Sequence, residues 1–116
     1  MPLKIVQRSA EDVVILDLAG RLWILDLPLR DLTGSLLLDG KKYFVVNLAG
    51  VDYVDSSGLG QLVSMWTSIR NKGGHLAILS PTKRVEKLLE ITRLDTVFTI
   101  VHAEDEAVRK ARTASA

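Results

Sequence analysis

The chain has 116 residues, 47% of them hydrophobic and 25% charged, with 15 Lys and Arg against 14 Asp and Glu. That is one domain's length, enough to bury a core without metals or disulfides, and the composition excludes general disorder. A formal charge of +1 with scattered basic residues gives no large field to draw in nucleic acid or an anionic membrane, and the lack of cysteine excludes thiolate chemistry.

Residues 1–8 contain no apolar stretch of signal-peptide length. The longest aliphatic runs, at 13–16 and 36–38, fall far short of a membrane span. The expectation is a cytoplasmic protein without membrane insertion. Leu3-Lys4-Ile5-Val6 and Val13-Val14-Ile15-Leu16-Asp17-Leu18 read as two strands, joined by a hairpin turn of moderate length over residues 8–12. Ala19-Gly20 punctuates. A helix is predicted from Asp26, with Pro28 in its first turn, Leu25, Leu29, Leu32 and Leu36 at helical spacing, and Asp39-Gly40 as the stop. Gly34 inside it costs about 1 kcal/mol relative to alanine.

Tyr43 to Leu48 has the compact apolar character of a buried central strand. After Asp55-Ser56-Ser57-Gly58 a second helix runs to Asn71, with Leu59, Leu62, Val63, Trp66 and Ile69 on its inner face and Gly73-Gly74 closing it. His75 to Leu79 is a short strand. Ser80-Pro81-Thr82 starts a third helix with Val85, Leu88 and Leu89 inward. Residues 97–101 form a last strand. A final helix opens with Glu104, Asp105 and Glu106 and carries Arg109, Lys110 and Arg112 towards its end, as the helix dipole favours. An opening hairpin followed by alternating helices and strands implies an α/β fold with a mixed, mainly parallel sheet. Val45, Val46, Leu48, Leu62, Trp66, Leu76, Ile78, Leu88, Leu89 and Ile100 are expected to share one core. Residues 1–112 make the domain, and 113–116 read as a flexible tail.

The segment Asp55-Ser56-Ser57-Gly58-Leu59-Gly60 lies at a strand–helix junction, the edge where ligands and partners meet open α/β sheets. Either Ser56 or Ser57 is suited to cap the free N–H groups of the helix. A phosphate on a serine there would face those N–H groups and the positive end of the dipole. A partner packed over the same spot would meet a new charge of about −1.5 to −2 beside Asp52 and Asp55. The plain alternative is a helix cap whose glycines permit close packing.

Val45-Val46-Asn47-Leu48, residues 51–60, Asn71-Lys72-Gly73-Gly74-His75-Leu76, Ser80-Pro81 and residues 88–95 together resemble the STAS-domain family of anti-sigma factor antagonists, over most of the chain. The resemblance implies a single STAS-like domain. It also implies a switching role without enzymatic activity or a cofactor. The first serine after the aspartate, Ser56, would be phosphorylated by an anti-sigma factor that is itself a serine kinase. The unmodified antagonist binds that kinase and frees the sigma factor; the phosphorylated one lets go, and a serine phosphatase resets it. Asp55, Ser57, Gly58 and Leu59 would lie in the contact surface, and Trp23, in a loop, is a candidate anchor for the partner. A monomer or weak dimer is expected. Two other roles within the family are a scaffold subunit of a stress-signalling complex and a small subunit of a membrane transporter.

The sequence departs from the family at two places. After Gly20 the family often has an acidic residue, a hydrophobic one and Asp, where this chain has Arg21-Leu22-Trp23. The glycine common before the Leu-Asp pair is replaced by Arg93, which carries strain if its backbone is left-handed.

Other chemistries find little support in the residues. A serine hydrolase needs a base and an oxyanion hole, but His75 and His102 are the only histidines and no Gly-x-Ser-x-Gly elbow surrounds Ser56. Gly58-Leu59-Gly60 lacks the third glycine of a dinucleotide fingerprint. No cluster has metal-ligand spacing, so no metal is assigned. Lys83, Arg84 and Lys87 read as a solvated basic face, with contact to a phosphate or phosphorylated partner as the alternative.

Overall fold

The computed structural model describes residues 3–23 and 28–113. Strands β1 (Lys4–Ala10), β2 (Val13–Leu22), β3 (Tyr43–Val54), β4 (His75–Leu79) and β5 (Thr99–Val101) lie side by side in that order. Only the β1–β2 hairpin is antiparallel. Helices α1 (Pro28–Leu38), α2 (Ser56–Asn71), α3 (Lys83–Ile91) and α4 (Glu104–Thr113) alternate with the strands after the hairpin, and a short 3₁₀ turn (Leu94–Thr96) precedes β5. The α/β fold and mixed sheet read from the sequence are present.

Period-two alternation along the strands assigns the layers. Val14, Leu16 and Leu18 of β2, Phe44, Val46 and Leu48 of β3, and Leu76 and Ile78 of β4 face the side covered by α1, α2 and α3. Val13, Ile15, Val45, Ala77, Leu79 and Val101 face the other side, where α4 lies. The single core expected from the sequence is therefore two clusters, with Val45 in the second. Trp66 is partly buried and meets the Phe98 ring edge-on at 6.5 Å. Leu88 and Ile100 are likewise packed at the margin of the larger cluster.

Several boundaries differ from the sequence reading. The hairpin turn is only Glu11-Asp12, because β1 continues to Ala10 and Glu11 takes a positive φ of 56°. Ala19-Gly20 does not end β2. Gly20, at φ 106°, sits at a register shift, and the strand resumes through Leu22 beside an equally prolonged β3. A bulge can carry a strand past a glycine that reads as punctuation. β5 begins only at Thr99, since residues 94–96 form the 3₁₀ turn. Arg93 has φ 63° and ψ 14°, the left-handed conformation suspected from its missing glycine. Leu25, Asp26 and the last three residues lie outside the described residues, and α4 includes Thr113.

Helix α4 is thin on its inner side, where Ala107 and Ala111 are fully buried, and ion pairs hold both ends. Arg8 of β1 bonds Asp17 of β2 and Glu104 at the helix start. Arg112 near the helix end pairs with Glu11 and Asp12 of the hairpin turn. Asn47 also donates to Asp17, at 2.8 Å. Hydrogen bonding to Arg8 holds the Asp17 and Glu104 carboxyls below their ordinary pKa. Carboxylates with depressed pKa stabilise the fold above their unfolded pKa of about 4, and this is lost as pH falls through the folded values. Because these groups are partly solvated, each pair is worth roughly 0.2–1 kcal/mol. Arg8→Ala should therefore lower stability by about 1 kcal/mol at pH 7. Urea titrations should show that gap shrinking towards zero below about pH 4; an unchanged gap would remove the assigned cause.

Candidate functional site

The prolonged ends of β2 and β3 run parallel, with Arg21 opposite Tyr53 and Leu22 opposite Val54. The chain then turns at Asp55 into α2. Asp55 is extended, with φ −99° and ψ −176°, and its Oδ1 accepts from Gly58 N at 2.7 Å. This carboxylate is the helix cap; neither Ser56 nor Ser57 caps, as the sequence reading had it. An aspartate at the N-cap both accepts an orphan N–H and places negative charge at the positive end of the dipole. The spacing Asp-x-x-Gly contained that signal.

Ser56 is consequently the first helical residue. Its side chain is exposed and its hydroxyl has no hydrogen-bond partner among the described residues. Ser57 is half-buried, while Gly58 and Leu59 are buried. A Cβ at Gly58 would stand 2.0 Å from the Leu22 carbonyl oxygen and 3.0 Å from Val54 Cγ1. The helix start is thus seated directly on the end of β2. Asp55 N reinforces that seat by donating to the same Leu22 oxygen at 3.3 Å.

Trp23 is half-buried, and its carbonyl accepts from Gln61 Nε2 of α2 at 3.1 Å. Gln61, 9% exposed, is a buried polar residue that the apolar stripe did not announce. Arg21 places its guanidinium 5.6 Å from the Trp23 ring centre and 5.8 Å from that of Tyr53. The Arg21–Tyr53 contact was not foreseen, although Arg21 already stood out as a departure from the family pattern. The structure therefore brings Asp55, Ser56, Ser57 and the seat formed by Gly58 and Leu59 together, with Trp23 on the adjoining strand end.

Helix α3 borders the same end of the sheet. Thr82 caps it, and Arg84 Nη1 donates to Asp52 O at 3.4 Å. The two histidines lie elsewhere: His75 stacks on Tyr43 at the start of β3, and His102 Nε2 is 3.5 Å from Glu86. No group of three or more His, Cys, Asp or Glu that could hold a metal occurs among the described residues. Nor, among them, is any helix long and apolar enough to cross a membrane.

Two glycines of this junction should respond in opposite ways to the same change. Gly58→Ala forces a methyl against a backbone oxygen and is expected to cost about 1–3 kcal/mol or more. At Gly60 a Cβ would meet nothing within 4 Å. Gly60→Ala should therefore stabilise by roughly 0.5–1 kcal/mol through helix propensity. Asp55→Ala removes the cap and should cost about 1 kcal/mol, whereas Ser56→Ala should stay within about 0.5 kcal/mol. Chemical denaturation of the four variants checks the set; a Ser56→Ala cost matching that of Asp55→Ala would reassign the cap.

A family model for the STAS domain matches residues 4–107. A Thermotoga neapolitana protein assigned provisionally as an anti-sigma factor antagonist is 35% identical over 111 residues, covering 94% of this chain and 95% of its own. The anti-sigma-B factor antagonist of Staphylococcus aureus is 30% identical over 95 residues, covering 81% and 88%. Among solved structures, the anti-sigma factor antagonist SpoIIAA in its unphosphorylated form superposes with a TM-score of 0.74 at 18% identity, covering 95% and 99%, a likeness of fold. SpoIIAA from Bacillus has also been solved phosphorylated. With matches across nearly its whole length and the same arrangement of sheet and helices, the chain belongs to the STAS-domain family of anti-sigma factor antagonists.

Proposed function

We propose that the chain binds an anti-sigma factor serine kinase in its unmodified form, and that phosphorylation of Ser56 by that kinase ends the binding and returns the sigma factor to restraint. One observation carries the choice of residue: of the two serines that the Asp55 cap leaves unused, Ser56 is the exposed one. Capping chemistry alone left Ser56 and Ser57 equal; the family resemblance favours Ser56, and its exposure, against the half-buried Ser57, supports that choice. The existence of a phosphorylated form of SpoIIAA supports the same kind of switch here.

The physical basis is an asymmetry between fold and complex. In the free protein a phosphate at the first helical position lies near the unpaired N–H groups and the positive dipole end of a 16-residue helix. Its cost to the fold is therefore small. In the complex, a partner seated on Ser56 must desolvate about two negative charges, set beside Asp52 and Asp55. Trp23 offers a half-buried aromatic at the rim of that contact, while Gly58 and Leu59 act from beneath by fixing the height of Ser56. A separate serine phosphatase would reset the cycle.

Each anti-sigma factor kinase of the source organism, titrated calorimetrically against the chain, tests the reading. Ser56→Ala should bind as wild type and stay bound in ATP, and Ser56→Asp should bind more weakly, a carboxylate imitating only part of a phosphate's charge. Mass spectrometry after incubation with kinase and ATP should place phosphate on Ser56. Phosphate on Ser57, or equal affinity of wild type and Ser56→Asp, would move the switch elsewhere.

A further inference from the structure

Beside Ser56 lies a surface whose chemistry is distinct from the acidic turn itself. On α3, Arg84, Lys87, Leu88 and Ile91 recur at i, i+3, i+4 and i+7, so they share one helical face. The core-facing residues of this helix are instead Val85 and Leu89. Ile91 is 69% exposed and Tyr53 40%, two large apolar side chains left in water along one line. They border a groove of about 330 Å³ floored by Val54, Val85 and Leu88 and flanked by Arg84 and Lys87. Among the described residues, no acidic one lines it. Tyr53 continues this surface to Arg21, which is held against Tyr53 and Trp23.

We infer that this groove and the Arg21 ridge form a docking surface for an acidic amphipathic helix of the partner. Its apolar stripe would lie between Tyr53 and Ile91, and its carboxylates would meet Arg21, Arg84 and Lys87. The inference rests on the proposed partner-binding role and specifies the partner's chemistry. Charge complementarity selects the occupant: apolar contacts alone would accept any amphipathic helix, but Arg84 and Lys87 on the groove and Arg21 beyond Tyr53, with no acidic residue among the described lining, repel a basic one. Residues 84–91 span seven residue steps, about 10 Å of helix, which matches two turns of a partner helix laid in the groove. Arg21 is partly immobilised by its two rings, so it loses less freedom on pairing than a free surface arginine. The same signs serve the switch. A phosphate on Ser56, just beyond the Arg21–Tyr53 and Leu22–Val54 register pairs, would repel an acidic helix and compete for the nearby cations.

The test uses the full chain and two probes. The first is a 15-residue helical peptide with leucines at i, i+3 and i+7 flanked by glutamates, compared with the same peptide carrying lysines. In ¹⁵N-labelled protein the acidic peptide should shift the amides of Tyr53, Leu88 and Ile91, and the basic one should not. The second probe is the anti-sigma factor kinase that binds wild type. The double variant Arg21→Glu/Lys87→Glu, confirmed folded by its amide spectrum, should bind that kinase at least tenfold more weakly and should favour the lysine peptide. Equal shifts from both peptides, or kinase affinity within twofold of wild type in the double variant, would overturn the inference while leaving the Ser56 switch intact. If no kinase binds wild type but the acidic peptide still discriminates, the surface assignment holds and the proposed role of the chain fails.

Discussion

Where β2 and β3 end side by side, the Leu22 carbonyl oxygen lies so near the start of α2 that a Cβ at Gly58 would come within 2.0 Å of it. The same oxygen accepts the Asp55 N–H. Backbone is thus packed on backbone at the one place where strand gives way to helix. The contact sets the height and direction of α2 relative to the sheet, and with them the position of Ser56. It also requires both strands to run several residues beyond the cores of their ladders, which the bulge at Gly20 permits. Without that extension Arg21 would not reach both the Trp23 and the Tyr53 rings.

In the proposed switch, stability and switching fall to separate groups. Asp55 satisfies the helix start, so Ser56 is free to change charge without removing a cap. The ion pairs that fasten α4, Arg8 to Glu104 and Arg112 to the hairpin turn, lie on the opposite face of the sheet from α1, α2 and α3. Ser56 takes part in none of these ion pairs, so a charge placed on it leaves them intact. What Ser56 does adjoin is the strand end bearing Arg21 and the turn bearing Asp52 and Asp55. A local change of charge can be read there by a partner while the two clusters beneath remain packed.

The order of strands and helices was legible because apolar periodicity dominates it, and residues such as Val46, Leu62 and Leu89 are fully buried as their spacing implied. The Ser-Gly junction was legible as a motif. Its geometry was not. Choosing the cap among Asp55, Ser56 and Ser57 depends on where the strand ends, and that end is set by pairing with β2, which local pattern does not carry. For the same reason Ala19-Gly20 read as a stop. The two-sided core was hidden because the strands are apolar on both faces, so alternation is blurred. Arg21 and Tyr53 lie 32 positions apart in the chain. Only the parallel register makes them neighbours, so no window of sequence could have shown their stacking.

The proposed switch works through charge at Ser56, and not a change of fold. It is tested most directly by preparing the chain with phosphoserine incorporated at position 56 and measuring its affinity for the cognate anti-sigma factor against the unmodified chain, with amide spectra of both. Binding should weaken about a hundredfold or more, roughly 2.7 kcal/mol, with spectral changes confined to the Asp55 turn, the Arg21 strand end and the first turn of α2. Undiminished affinity, or lost affinity accompanied by rearrangement throughout the sheet, would contradict it.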